Sequence, residues 1–258
     1  MTANAPRLSC RGLALSVAGR MLVSGLDLDV RAGECWVVIG PNGAGKTTLM
    51  TALAGLRTAQ AGELAYDGTP LAALGPRERA RRRGFLPQDS VDHFPATVLE
   101  TALVGRHPHL SRWQWESAAD IDRARAALST FGLAGLDGRD ARTLSGGERR
   151  RLALAALVAQ DSGLLLLDEP SSHLDLGAQI AALDTVAALA HNDGKAIVMV
   201  LHDLHLALRY AHHAIALGGG RARTGTAGDI LTGATLSELF GHRLLAVGEG
   251  ATRTFLPS

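Results

Sequence analysis

From position 40 to position 48 the chain reads Gly-Pro-Asn-Gly-Ala-Gly-Lys-Thr-Thr. Glycines at 40, 43 and 45 let the backbone bend so that successive N–H groups face one concavity, and such a nest attracts an anion. Lys46 adds a charge that can reach β- and γ-phosphates, and the Thr47 hydroxyl suits Mg²⁺. Gly40, Pro41, Asn42, Gly43, Ala44, Gly45, Lys46, Thr47 and Thr48 are therefore the expected nucleoside triphosphate site. A second pair, Asp168 and Glu169, brings carboxylates. Asp168 is the expected metal residue, acting partly through water because Mg²⁺ keeps much of its hydration. Glu169 is the expected base, polarising a water beside the γ-phosphate.

These residues need particular elements to hold them. The apolar run 35–39 precedes the glycine loop and the apolar-periodic stretch 49–54 follows it, giving strand, loop and helix. Residues 164–167 form a continuous apolar run, as in a buried parallel strand, delivering Asp168-Glu169-Pro170 at its carboxyl end. Residues 196–201 repeat the pattern and deliver His202-Asp203. Upstream, alternation over 8–17 and 22–30 around Ala18-Gly19-Arg20 predicts two or three strands in a hairpin-like arrangement ending at Ala32-Gly33. A short strand with an Asp67-Gly68 turn follows over 62–68, then an arginine-rich helical stretch over 76–83 leading to Gln88.

From Val91 to about Leu136 the pattern is helical, strongest near 98–104 and 121–131, and a further helix spans 151–160. A helix over about 177–191 comes next. The remainder reads as a helix after Leu204, a strand pair around 214–224 and a short helical tail. The expectation is one domain over 1–258, with an α/β core from about 1–90 and 160–258 and a helical lobe inserted over about 91–159.

The 258 residues are 47% apolar, enough for a packed interior. A net charge of +1 argues against nucleic acid as a partner. The arginine runs 77–83 and 149–151 read as solvated helix faces. Cys10 and Cys35 form no metal or disulfide framework, and Cys35 reads as a buried, inert thiol. The first ten residues lack a signal-peptide core, and no apolar run is long enough to span a bilayer, so a membrane role would need another chain.

Leu144-Ser145-Gly146-Gly147-Glu148 resembles the signature motif of ABC-transporter nucleotide-binding subunits. Gln88 is similar to that family's Q-loop glutamine, Ser172-His173-Leu174-Asp175 to its D-loop, and His202 to its switch histidine. The matches run in the family's order over nearly the whole chain. The resemblance implies an ABC-type P-loop NTPase fold: a mostly parallel core sheet, an antiparallel N-terminal β subdomain and an α-helical lobe. It implies Glu169, His202 and Gln88 as catalytic residues, and Thr47, Gln88 and Asp168 around Mg²⁺. It also implies a head-to-tail homodimer, with Ser145, Gly146, Gly147 and Glu148 meeting the partner's ATP and Asp175 in the D-loop. The family usually stacks adenine on an aromatic ring; here the matching position is Val17, beside Arg20, which predicts aliphatic or arginine contact and weak selectivity for ATP over GTP.

The phrasing from Phe94 to Leu110 is similar to ATPase subunits that import iron–siderophore complexes, vitamin B12 or haem. That implies a permease, a periplasmic binding protein acting indirectly, and a place at the cytoplasmic face of the inner membrane. His107 and His109 read as packing or solvated side chains, with two histidines a poor metal set. Trp113 and Trp115 read either as a permease contact or as helical packing. Competing classes are another ABC transporter's ATPase, a soluble ABC ATPase in repair or translation, and an assembly subunit without turnover. The absence of coiled-coil insertions or a second cassette argues against the soluble class, and intact Lys46, Glu169 and His202 against the last.

Overall fold

The computed structural model describes residues 5–88, 95–111, 113–248 and 253–257. The chain opens with β1 (Leu8–Val17) and β2 (Arg20–Val30), paired antiparallel. Ala18 and Gly19 between them both have positive φ, at 49° and 81°, the handedness a two-residue hairpin requires. β3 (Cys35–Ile39) runs into α1 (Lys46–Leu53), followed by β4 (Ala61–Tyr66) and the short β5 (Thr69–Pro70). Strands β2-β1-β4-β5 make the smaller sheet, all antiparallel.

Next come α2 (Pro76–Arg82), β6 (Arg83–Leu86), α3 (Val98–Leu103), α4 (Ala118–Thr130) and α5 (Gly146–Ala159). Then follow β7 (Leu164–Asp168), α6 (Leu176–Asp193), β8 (Ala196–Val200), α7 (Leu204–Tyr210), β9 (His213–Gly218) and β10 (Arg221–Thr226). The chain closes with α8 (Ala227–Ile230), α9 (Gly233–Phe240), β11 (Leu244–Val247) and β12 (Thr254–Pro257).

The larger sheet has the order β10-β9-β3-β8-β7-β6 and is parallel except at β10. Every residue of β3, β7 and β8 is buried. Alternation sorts their side chains onto two faces. Trp36, Val38, Leu166 and Val198 pack with α1 and the inner face of the small sheet, where the buried Tyr66 hydroxyl donates to Leu53 O at 2.6 Å. Val37, Leu165, Leu167, Ile197 and Met199 pack with the helices of the other side. α1 is thus held between two sheets, which fixes the loop before it.

Register puts the strand ends level: Val38 faces Val200, Val200 faces Asp168, and Leu167 faces Leu86 through the neighbouring pairs. The segments leaving β3, β8, β7 and β6 therefore emerge side by side along one edge, where ligands of open α/β sheets bind.

Three expectations change. The tail is not simply helical: after α9 it forms the antiparallel pair β11–β12, whose short exposed segments give little periodicity to read. The 214–224 strand pair is longer, and β9 enters the main sheet parallel to β3. α5 begins at Gly146 rather than Arg151, so the signature glycines form its first turn. Val91 and Phe94 lie outside the described residues. Both cysteines are buried, which pushes the Cys35 thiol up to about 11 and the Cys10 thiol up to about 12.

Candidate functional site

The loop's shape follows from where glycine is required. A Cβ on Gly40 would stand 2.2 Å from Leu217 O, so only glycine lets the loop lie against β9. Gly45 caps α1 with φ 100°, in the left-handed region. α1 has no side-chain cap, whereas α3, α4 and α5 each carry a full capping box. Its first-turn N–H groups are left to whatever occupies the cavity beside them.

That cavity, of about 620 Å³, is lined by Asn42, Gly43, Gly45, Lys46, Thr47 and Thr48 from the loop, and by Gln88, Glu169 and His202 from the neighbouring strand ends. Val17, Arg20 and Leu22 from the small sheet complete the wall. Lys46 Nζ donates to Gly40 O at 2.8 Å and Pro41 O at 3.2 Å. Burial lowers its pKa from the ordinary 10.5, and the charges of Glu169 and Asp168 oppose that shift. Glu169 sits at φ 53° and its Oε1 is 2.5 Å from His202 Nε2.

Asp168 lies beneath these groups with no exposed surface, and neither carboxylate oxygen has a hydrogen-bond partner among the described residues. Burial pushes its pKa upward; the Glu169 charge adds to this, while the neighbouring Thr47 hydroxyl, Arg150 and Lys46 pull it down. A buried carboxylate without a partner is costly, and a hard cation is the partner its chemistry suits. With the Thr47 hydroxyl beside it and Gln88 on the wall of the adjoining cavity, the oxygen donors fit Mg²⁺.

Ser145, Gly146, Gly147, Glu148 and Asp175 do not line this cavity. Ser145 Oγ accepts from Glu148 N at 3.2 Å and Glu148 Oε2 accepts from Ser145 N at 2.8 Å, so the motif is locked as a capping box. Asp175 caps α6, accepting from Ala178 N at 2.8 Å. A Cβ on Gly147 would stand 3.3 Å from Leu174, which places the signature turn against the 172–175 segment.

A sequence profile of the ABC transporter family matches residues 23–172.

The chain belongs to the ABC transporter family.

It is an ATP-binding cassette, an ATPase of that family. The chain is 42% identical to the hemin import ATP-binding protein HmuV of Myxococcus xanthus over 248 residues, covering 93% of this chain and 92% of that protein. It is 33% identical to the ferric enterobactin transport ATP-binding protein FepC of Escherichia coli, covering 98% of this chain and 94% of the other. A solved transporter described as of metal-chelate type, in an inward-facing conformation, matches with a TM-score of 0.85 at 28% identity, covering 98% of this chain and 97% of that one.

For other residues of this ABC cassette the structure refines the sequence reading. The 149–151 run is no uniform solvated face: Arg149 is exposed, Arg151 half-buried, and Arg150 only 5% exposed. The signal was available, since Arg150 precedes the buried Leu154 by four positions and Leu157 by seven, on one face of α5. In the earlier run Arg77 and Arg81 are exposed, while Arg79, Arg82 and Arg83 are half-buried on backbone carbonyls. Trp113 and Trp115 are 89% and 87% exposed, which rules out helical packing. His109 Nε2 lies 2.8 Å from Gln160 O and His107 Nε2 3.7 Å from Glu116 Oε1, so the two do not converge on a metal. Among the described residues no helix is long and apolar enough to cross a membrane.

Proposed function

We propose that this chain is the ATP-hydrolysing subunit of an importer for a metal chelate of haem, cobalamin or ferric-siderophore type. The observation that carries the reading is one cavity shared by Lys46, Gln88, Glu169 and His202 above the buried, unpartnered Asp168. The hemin and enterobactin relatives and the metal-chelate transporter favour the chelate class.

In this reading the residues from Gly40 to Thr48 hold the triphosphate, through α1's N-terminal amides and the Lys46 ammonium. Thr47, Asp168 and Gln88 would hold Mg²⁺, which when bound would supply charge neutralisation to the triphosphate. Glu169 orients the attacking water and accepts its proton, and His202 keeps that carboxylate in one rotamer. Val17 and Leu22, with Arg20 beside them, form the wall against which the base would lie.

Ser145, Gly146, Gly147 and Glu148 lie away from the chain's own nucleotide, which favours their use on a partner's. Two chains head-to-tail then form two equivalent sites, with Asp175 near the junction. The exposed Trp113 and Trp115 rim a hollow with Arg77, His107 and Leu110, a surface suited to a permease at the cytoplasmic face of the inner membrane. A periplasmic binding protein would deliver the chelate without touching this chain. Residues 1–258 act as one cassette, with about 91–159 as its helical lobe.

Tagged chain recovered from mild-detergent membranes should bring a polytopic permease with it. Recovery alone, or with soluble partners, would sink the importer and leave the ATPase.

A further inference from the structure

Among the described residues, the guanidinium of Arg150 is the most heavily engaged cation beside the pocket. Its Nη1 donates to Pro87 O at 2.9 Å and Gln88 O at 3.2 Å. Its Nη2 donates to Asp168 O at 2.7 Å and Glu169 O at 2.6 Å, and its Nε to Pro170 O at 3.2 Å. These carbonyls come from the ends of β6 and β7, while Arg150 belongs to α5, the helix capped by Ser145.

The pairing is selective. The Pro87 and Gln88 carbonyls belong to the two peptide units flanking the Gln88 Cα, and those of Asp168 and Glu169 flank the Glu169 Cα. Peptide units are planar, so φ and ψ are the only soft angles between them. Holding both units at a residue fixes its backbone and the direction in which its side chain leaves. This matters most at Glu169, whose φ of 53° is one a non-glycine residue keeps only where its surroundings enforce it.

We propose that Arg150 is a positioning residue for ATP hydrolysis, each terminal nitrogen of its guanidinium fixing one of the two residues, Gln88 and Glu169, that face the γ-phosphate. The inference rests on the roles assigned to those two residues above. It makes the signature helix and both strand ends one mechanical unit, so a displacement of α5 reaches Glu169 without an intervening loop. Only arginine has the fork for this: lysine's ammonium is a single point that satisfies one pair of carbonyls, and methionine satisfies none.

The test uses the purified full chain as Arg150→Lys and Arg150→Met, with ATP affinity measured by equilibrium binding and turnover by phosphate release. Affinity should stay within about threefold of wild type, while kcat falls about tenfold in the lysine variant and about a hundredfold in the methionine variant. In a Glu169→Gln background, either Arg150 change should lower the residual turnover several-fold less than it lowers that of wild type, because only its effect through Gln88 remains. Wild-type kcat in Arg150→Lys overturns the proposal. So does loss of affinity in step with turnover, as a merely structural arginine would give, and so does full additivity in the double variant. Should Arg150→Met not fold, the lysine variant and its cycle decide alone. Wild-type turnover in Glu169→Gln by itself would overturn the underlying assignment instead.

Discussion

His202 Nε2 lies 2.5 Å from Glu169 Oε1, although the two residues leave different strands. The contact is a consequence of strand order. β8 lies between β3 and β7, so its carboxyl end opens between the glycine loop and the acid. A histidine one position earlier or later in the 200–203 segment would leave toward another side. The pair therefore depends on register as much as on residue type.

Replacing Glu169 by Gln keeps the side chain's shape and removes its basicity. The variant should bind ATP as wild type does and lose turnover by about 10²-fold or more, the usual range for a positioned general base. It should also accumulate as a closed dimer with ATP. Phosphate release and size-exclusion chromatography read both effects; wild-type hydrolysis would remove Glu169 from its role.

Lys46→Ala acts on binding rather than on chemistry. A charge-assisted hydrogen bond is worth about 1.5–3 kcal/mol, so ATP affinity should fall by roughly 10- to 100-fold. Equilibrium titration with a fluorescent ATP analogue measures it. Unchanged affinity would mean that the triphosphate does not rest on the 40–48 loop.

No Phe, Tyr or Trp lines the pocket among the described residues, and Val17, Arg20 and Leu22 form the wall where a base would lie. Aliphatic contact, or a guanidinium over the face of the ring, distinguishes purines poorly. ATP and GTP should bind with dissociation constants within about threefold of each other, less than one good hydrogen bond would separate. Arg20→Ala should weaken both alike. A strong preference for ATP in competition binding would show a base contact of another kind.

That Lys46, Glu169 and His202 would meet at one cavity is legible in sequence because a glycine loop and polar residues each follow an apolar strand. The buried strands are legible because runs such as 164–167 are apolar on both faces. Arg150 escaped because an arginine on a helix ordinarily lies in solvent, and what buries it is five carbonyls from segments far along the chain. The tail escaped for the opposite reason: β11 is short and largely exposed, leaving no periodic signal. That β9 joins the main sheet beside β3 is a matter of long-range pairing, which local pattern does not encode.

Arg106 and Asp120 form a buried ion pair, Nε to Oδ1 at 2.8 Å, and Arg106 Nη1 also donates to Ala159 O at 2.9 Å. The pair ties α4 to the end of α5. Hydrogen bonds from Ser117 and then Arg106 hold the Asp120 carboxyl at about 2, below its ordinary 3.8. A depressed carboxyl contributes stability above the unfolded value and loses it as pH falls toward 2. Asp120→Ala, which leaves Arg106 buried without its carboxylate, should destabilise the fold by about 3–5 kcal/mol at neutral pH. In urea denaturation the gap from wild type should narrow below about pH 4; a gap independent of pH would exclude the ion pair as its source.

Asp168 should behave in the opposite sense. Burial raises its pKa above the ordinary 3.8, with the Glu169 charge adding to the shift. The folded chain then holds that proton more tightly than the unfolded one, so the ionised carboxylate costs stability above the folded pKa, and the cost disappears as pH falls through it. Asp168→Asn should therefore raise the melting temperature of the nucleotide-free protein, by roughly 2–4 °C for each kcal/mol recovered. The gain should shrink as pH is lowered from neutrality. The same variant should lose turnover and the added stabilisation that Mg²⁺ gives with ATP, since binding to the folded state alone is what produces that increment. Melting curves with ATP, with and without Mg²⁺, separate the two effects. Wild-type melting together with a wild-type Mg²⁺ response in Asp168→Asn would show that the carboxylate is neither a strained buried charge nor a metal ligand.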